Sequence, residues 1–128
     1  MDPIADMIVQ IKNAIMIKDN EINITYSKFK EEILNLLVQK GFLKNCQEKI
    51  IDDRKYLHIE VNYKSKTPAI RQIKRVSKPG LRVYSSFKDI PRPLQGLGTV
   101  IISTPNGIMD GVDAKKNRLG GELICIIY

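Results

Sequence analysis

The chain has no tryptophan, one histidine, two cysteines and no apolar run of membrane-spanning length. Each scarcity excludes something. With three phenylalanines and five tyrosines, the stacked aromatic platform that grips single strands is poorly supplied. A catalytic histidine needs a positioned partner, and the sequence around His58 suggests none, so His58 is expected to lie on a protein surface. Cys46 and Cys125 have neither zinc-site nor redox spacing. Both are expected to be buried thiols in a reducing compartment. The opening Met1-Asp2-Pro3-Ile4 is not the basic and then apolar start of a secretory signal. No Walker-type loop is present, and Gly96-x-Gly98 lacks a third glycine and leads into a strand pattern rather than a helix. The expectation is a cytoplasmic protein away from membranes, with no catalytic residues, no cofactor and no metal.

Acidic residues are scarce in one half only. Residues 1–64 carry ten Lys/Arg and ten Asp/Glu, whereas residues 65–128 carry eleven Lys/Arg and four Asp/Glu. The whole net charge of +7 therefore lies in the second half. The first half reads as an ordinary globular surface and the second as a surface for a polyanion. At 43% hydrophobic residues a packed core is expected.

The hydrophobic pattern predicts an α+β fold of two small lobes. The N-terminal lobe, residues 1–64, reads as α-β-α-β-β. Asp2 and Pro3 open a helix whose stripe is Ile4, Met7, Ile8, Ile11 and Ile15, leaving Lys12 off the stripe. Residues 21–26 alternate as a strand. Ser27 caps a second helix with Phe29, Ile33, Leu36 and Leu37 inside and Gly41 as its stop. A hairpin follows, turning at Asp52-Asp53, with its second arm running from Arg54 to Tyr63. The polar segment 64–69 is the expected boundary. The second lobe, residues 65–128, reads as mostly antiparallel β with a short helix. From Lys64 to Arg92 nine cations face only Asp89, with Ile70, Ile73 and Val76 interleaved as if on one basic-faced strand. Ser77-Lys78-Pro79-Gly80 is a turn, Leu81–Tyr84 a strand and Leu94-Gln95 a helical turn.

Residues 96–128 organise the second lobe. Val100-Ile101-Ile102 and Leu123–Ile127 are short apolar runs suited to buried strands. Between them come a polar turn, Ser103-Thr104-Pro105-Asn106-Gly107, and a helix from Asp110 to about Asn117, followed by Gly120-Gly121. Hydroxyl, amide and backbone groups in that turn suit phosphate, ribose and base-edge contacts. Lys115, Lys116 and Arg118 add charge, and Gly120-Gly121 would let a nucleic-acid backbone approach. The charge spans too many positions for a single phosphate, so RNA is favoured over a small anion. A DNA-binding architectural protein is the competing binder, but the basic half has no recognition-helix pattern. A metal-dependent nuclease using Asp110 and Asp113 is the competing enzyme. Both aspartates also fit a helix N-terminus.

Three separated motifs carry a resemblance along nearly the whole chain. They are Asp2-Pro3-Ile4-Ala5-Asp6-Met7, then Arg75 to Tyr84, then Gly98 through Ser103-Thr104 and Gly107-Ile108-Met109 to Gly120-Gly121-Glu122-Leu123. The chain resembles the bacterial-type family of small-subunit ribosomal protein eight. That resemblance implies a non-enzymatic binder of the central domain of small-subunit rRNA, gripping a stem with an internal loop and flanked by neighbouring ribosomal proteins. It also implies repression of translation through a similar stem in the operon's own mRNA. Ser103 and Thr104 would contact the RNA, supported by Glu122 and the Gly120-Gly121 backbone. Lys78, Arg82 and Tyr84 would lie along the edge, and Lys12 would add a phosphate contact. The family's turn usually continues Ser-Thr-Ser-Lys/Arg-Gly. Here Pro105-Asn106 replaces a hydroxyl and a cation, and proline removes an N–H donor. Gly111-Val112 also departs from the family's more polar helix start.

Overall fold

The computed structural model describes residues 2–64 and 67–128. Lys66 of the basic run and part of the expected boundary segment lie outside the described residues. Two units form, Pro3–Arg71 and Gln72–Tyr128, the second together with Asp2.

In the N-terminal unit, α1 (Pro3–Met16) and α2 (Lys28–Gln39) accompany an antiparallel sheet. The sheet is built of β1 (Glu21–Thr25), β2 (Leu43–Ile51) and β3 (Arg54–Val61) in the order β1-β3-β2. The buried stripe of α1 is Ile4, Met7, Ile8, Ile11 and Ala14. Ile15, expected on that stripe, is only half-buried, one residue from the end of the helix. In α2 the stripe is Ile33, Leu34, Leu36 and Leu37, and Phe29 stays half-buried in the first turn. Ser27 caps α2 by accepting from Lys30 N at 3.4 Å. Asp52 and Asp53 have φ of 50° and 63°. That left-handed pair is the two-residue hairpin geometry whose twist matches the flanking strands. A small pair, β4 (Tyr63–Lys64) with β5 (Thr67–Pro68), stands where a polar connection was expected, and Tyr63, expected at the end of β3, belongs to it. Pro68 cannot donate to a longer ladder.

The two helices of this unit end alike. After α2, Phe42 N donates to Leu37 O and Gly41 N to Val38 O, with Gly41 at φ 85°. This is the Schellman pattern. α1 repeats it with Lys18 at φ 58° in the glycine position, where Asp19 N donates to Ala14 O and Lys18 N to Ile15 O.

In the C-terminal unit, β10 (Gly121–Ile127) is the spine. Along one side it pairs with β6 (Ile73–Arg75) and β7 (Tyr84–Ser85), and along the other with β8 (Thr99–Thr104), which pairs in turn with β9 (Gly107–Asp110). The basic run is thus not one strand, since only Ile73–Arg75 reaches the sheet before the chain turns at Pro79-Gly80. The register shifts between Leu123 and Cys125, leaving Ile124 as an extra residue. Its carbonyl accepts from Val76 N at 3.0 Å and from Arg75 Nη1 at 2.7 Å. Two 3₁₀ turns, Phe87–Asp89 and Pro93–Gly96, precede β8. Ile90, Val100, Ile102, Ala114 and Leu123 form one core cluster, with Val76, Val83, Phe87, Met109 and Ile126 packed around them, and Ile73, Ile101, Ile124, Cys125 and Ile127 are buried as well.

α3 (Gly111–Lys116) contributes Ala114 to that core. It ends as the other helices do, with Arg118 at φ 56°, Leu119 N donating to Ala114 O and Arg118 N to Lys115 O. Its cap is Asp110, whose Oδ1 accepts from Asp113 N at 2.7 Å. Asp110→Ala should lower the unit's stability in urea titration by about 1–2 kcal/mol, the scale of a lost N-cap, with Asp110→Asn retaining most of it. Equal losses in the two variants would mean that the cap is not what Asp110 supplies.

Candidate nucleic-acid interface

The polar turn is the connection between β8 and β9. Pro105 and Asn106 form its two-residue tip, closed by the Thr104↔Gly107 pair. Proline first and glycine last suit a tight turn, and Gly107 sits at φ 111°, where a side chain would be strained. Thr104 Oγ1 donates to Gly107 O at 2.8 Å and accepts from Asn106 N at 3.2 Å. With Thr104 only 7% exposed, its hydroxyl is used inside the hairpin and sets the shape of the tip. Asn106 N is also used there. The side-chain amide of Asn106 is exposed and makes no hydrogen bond among the described residues.

The sheet register lines up a transverse row. Tyr84 is opposite Glu122, Glu122 opposite Ser103, and Ser103 opposite Ile108. These positions alternate with Ile102 and Leu123, which face the core beneath α3, so the row lies on the other face of the sheet. Tyr84 is 70% exposed, offering a ring and a hydroxyl. Glu122 Oε2 accepts from Arg82 Nη1 at 3.2 Å. An exposed ion pair contributes little to stability. Its value here is orientation: the guanidinium is held against Glu122, the residue opposite Ser103 in the register.

Gly120 and Gly121 have an intramolecular reason to be glycine. A Cβ on Gly121 would lie 1.9 Å from Ser103 O and 3.2 Å from Thr104 Cα, and one on Gly120 would lie 2.5 Å from Ser85 O. On the side where a Cβ would project, the space is filled by this chain's own backbone, so glycine is required here by the packing of the chain on itself.

The structure does not gather every candidate at this row. Lys115 and Lys116 leave the last turn of α3, on the core-side layer, and are exposed. Lys78 sits beside the Pro79-Gly80 turn, bridged to Leu81. Lys12 is exposed on α1 of the other unit. Among the described residues none of these four lysines makes an ion pair. Arg75 behaves otherwise. Its Nε donates to Asp2 Oδ2 at 3.0 Å and its side chain is 8% exposed, so this member of the basic run is structural. The Asp2–Arg75 pair spans 73 positions and leaves no local signal. The same holds for Ser77, fully buried, whose Oγ accepts from Val83 N at 2.7 Å.

The residues weighed for catalysis are otherwise engaged. Asp110 is a buried helix cap, and Asp52-Asp53 is a turn. Cys125 is buried, and burial pushes its thiol up to about 12. Cys46 is only half-buried, not buried as expected. Burial still raises its pKa, and the nearby Glu31 and Glu48 carboxylates add to the shift. His58, expected without a partner, is held between Asn23 Oδ1 at 2.7 Å and Glu21 Oε2 at 3.1 Å.

Known proteins resemble this chain along nearly its whole length. The family model for ribosomal protein S8 matches residues 2–128. "Small ribosomal subunit protein uS8" of Dictyoglomus thermophilum is 46% identical over 129 residues, covering 99% of this chain and 97% of that protein. The protein of the same name from Thermus aquaticus is 40% identical, covering 99% and 98%. "Small ribosomal subunit protein uS8c" of Gracilaria tenuistipitata is 41% identical, again covering 99% and 98%. The matched family is structural rather than enzymatic. The chain belongs to the ribosomal protein S8 family.

Proposed function

We propose that the C-terminal unit binds an irregular stem with an internal loop in the central domain of small-subunit rRNA. The chain is a structural constituent of the small ribosomal subunit, and this contact is its part in assembly. The observation that carries the reading is the row of Tyr84, Glu122 and Ser103, with Arg82 held beside it and the Thr104-stapled tip at its end. RNA recognition favours loops and bulges, where bases can be splayed and 2′-hydroxyls reached. A rigid hairpin tip offering Ser103 and the Asn106 amide suits such a target, and Tyr84 can stack or donate. Unpaired lysines supply phosphate contacts. Pro105 withholds one N–H, so recognition at the tip rests on the Asn106 side chain and on Ser103. Contacts with neighbouring small-subunit proteins complete the placement. A similar stem in the operon's own mRNA would be bound through the same row.

The test exploits the double hydrogen bond of Thr104. Thr104→Val keeps the shape but removes the staple, and should weaken binding to the purified rRNA stem by roughly 1–3 kcal/mol. Thr104→Ser should bind nearly as the parent does. Circular dichroism verifies that both remain folded. Unchanged affinity in a folded Thr104→Val protein would sink the proposed site.

A further inference from the structure

Far along the chain from the RNA-facing row, the exposed face of the N-terminal sheet carries an unusual juxtaposition. Register places Glu21 directly opposite Glu60, and Asn23 directly opposite His58. Like charges directly opposite one another on antiparallel strands are destabilising unless something lies between them. Across the other edge of β3, His58 faces Gln47 and Glu60 faces Asn45, both uncharged. The nearest cation in register on this face is Lys49, opposite Tyr56, and among the described residues it pairs with neither glutamate. Glu60 is half-buried and makes no ion pair or hydrogen bond among the described residues.

The hydrogen bonds of His58 sharpen this. An amide oxygen only accepts, so the Nδ1–Asn23 Oδ1 contact at 2.7 Å puts a proton on Nδ1. In the neutral ring Nε2 then presents its lone pair to Glu21 Oε2 at 3.1 Å, an acceptor against an acceptor. A positive species belongs at that point. A second ring proton would answer Glu21 and leave Glu60 unanswered. One atom from each of Glu21, His58 and Glu60 lies within 4.8 Å of the others. A divalent ion with donors at about 2.0–2.2 Å in tetrahedral geometry needs those atoms roughly 3.3–3.6 Å apart, which small side-chain rotations on a fixed sheet can supply. Asn23 is then the outer partner that fixes the tautomer and ring orientation of a ligating histidine.

We propose that Glu21, His58 and Glu60 form a binding site for a divalent transition-metal ion of the zinc class. One imidazole and two carboxylates suit such an ion, with water completing the shell. The ion clips β1 to β3 and cancels the Glu21–Glu60 repulsion. It is a structural site on the face of the N-terminal unit, independent of the RNA reading.

The experiment titrates the full-length chain with Zn²⁺ alone, by calorimetry and by competition with a chromophoric chelator. One equivalent per chain is expected. His58→Gln and Glu60→Gln should each weaken binding at least about tenfold, and Asn23→Ala by roughly 10–100-fold, the range seen when an outer partner is lost. Cys46→Ser should bind as the parent does, and rRNA-stem affinity should be the same in His58→Gln. In the Co²⁺-loaded protein the visible absorption bands should change in His58→Gln. Binding that survives His58→Gln unchanged, binding lost in Cys46→Ser, or less than one equivalent in the parent chain would each overturn the proposal.

Discussion

Gly121→Ala should unfold the C-terminal unit, or leave it folded only well below ordinary temperatures. The added Cβ would sit 1.9 Å from Ser103 O, 2.8 Å from Ser103 C and 3.2 Å from Thr104 Cα. These are backbone atoms of a paired strand, so no side-chain rotation relieves the overlap. Relief requires β8 and β10 to part at the Glu122↔Ser103 pair, next to the Leu123↔Ile102 pair that lies in the core. A loss above about 4 kcal/mol is expected, at the extreme of single substitutions. Binding to the rRNA stem should vanish with it. Gly80→Ala is the internal comparison. Gly80 has φ 84°, and a Cβ added there would meet nothing within 4 Å, so only the left-handed backbone is penalised, at about 1–2 kcal/mol. Thermal melts of the two variants separate a steric reason for glycine from a conformational one. If Gly121→Ala melts as Gly80→Ala does, the strands are not as close as described.

That contrast shows where the sequence is legible. Alternation and helical spacing mark α1, α2 and β3, because each buries one face, whereas β8 and β10 show as short apolar runs because successive residues on both of their faces are buried. Asp52-Asp53, Asp110 and Gly41 declare their turn, cap and stop through local chemistry. The end of α1 escapes notice because Lys18 holds a left-handed position that glycine usually marks, whereas α3 ends at Asn117 as expected although Arg118 holds the same position. β9 escapes because Gly107-Ile108-Met109-Asp110 is four residues long and gains its pairing from β8. The candidate row is harder still. Ser103, Glu122 and Tyr84 become neighbours only through register, and a bulge at Ile124 sets that register. Composition finds the basic half but cannot tell Arg75, spent on Asp2 and Ile124 O, from Lys78, which is free among the described residues. His58 lies on the polar face that its alternation predicts. What gives it company is β1, 35 and 37 positions away.

The distinction between spent and free cations makes the salt dependence of the proposed RNA binding a measurable signature. Arg82, Lys78, Lys115 and Lys116 are exposed in the C-terminal unit, as are Lys74, Lys88 and Arg92 along the basic run. If roughly five of them meet phosphates, log K should fall against log salt with a slope of about −3.5 to −4.5, at about 0.7–0.9 per phosphate. Affinity for the stem should then drop by more than about a hundredfold between roughly 50 and 200 mM salt. Lys115→Ala with Lys116→Ala should flatten the slope by about one to two, since each neutralised phosphate contributes nearly one. Arg75→Gln should leave the slope of the folded protein unchanged. It should instead lower stability, because it strips Asp2 of its half of the pair and Ile124 O of a charged donor; a hydrogen bond to a charged group is worth about 1.5–3 kcal/mol. A slope flatter than about −1 in the parent chain would mean that the basic half does not carry the binding. A slope that falls as much in Arg75→Gln as in the double lysine variant would mean that Arg75 leaves its interior partners to meet the RNA.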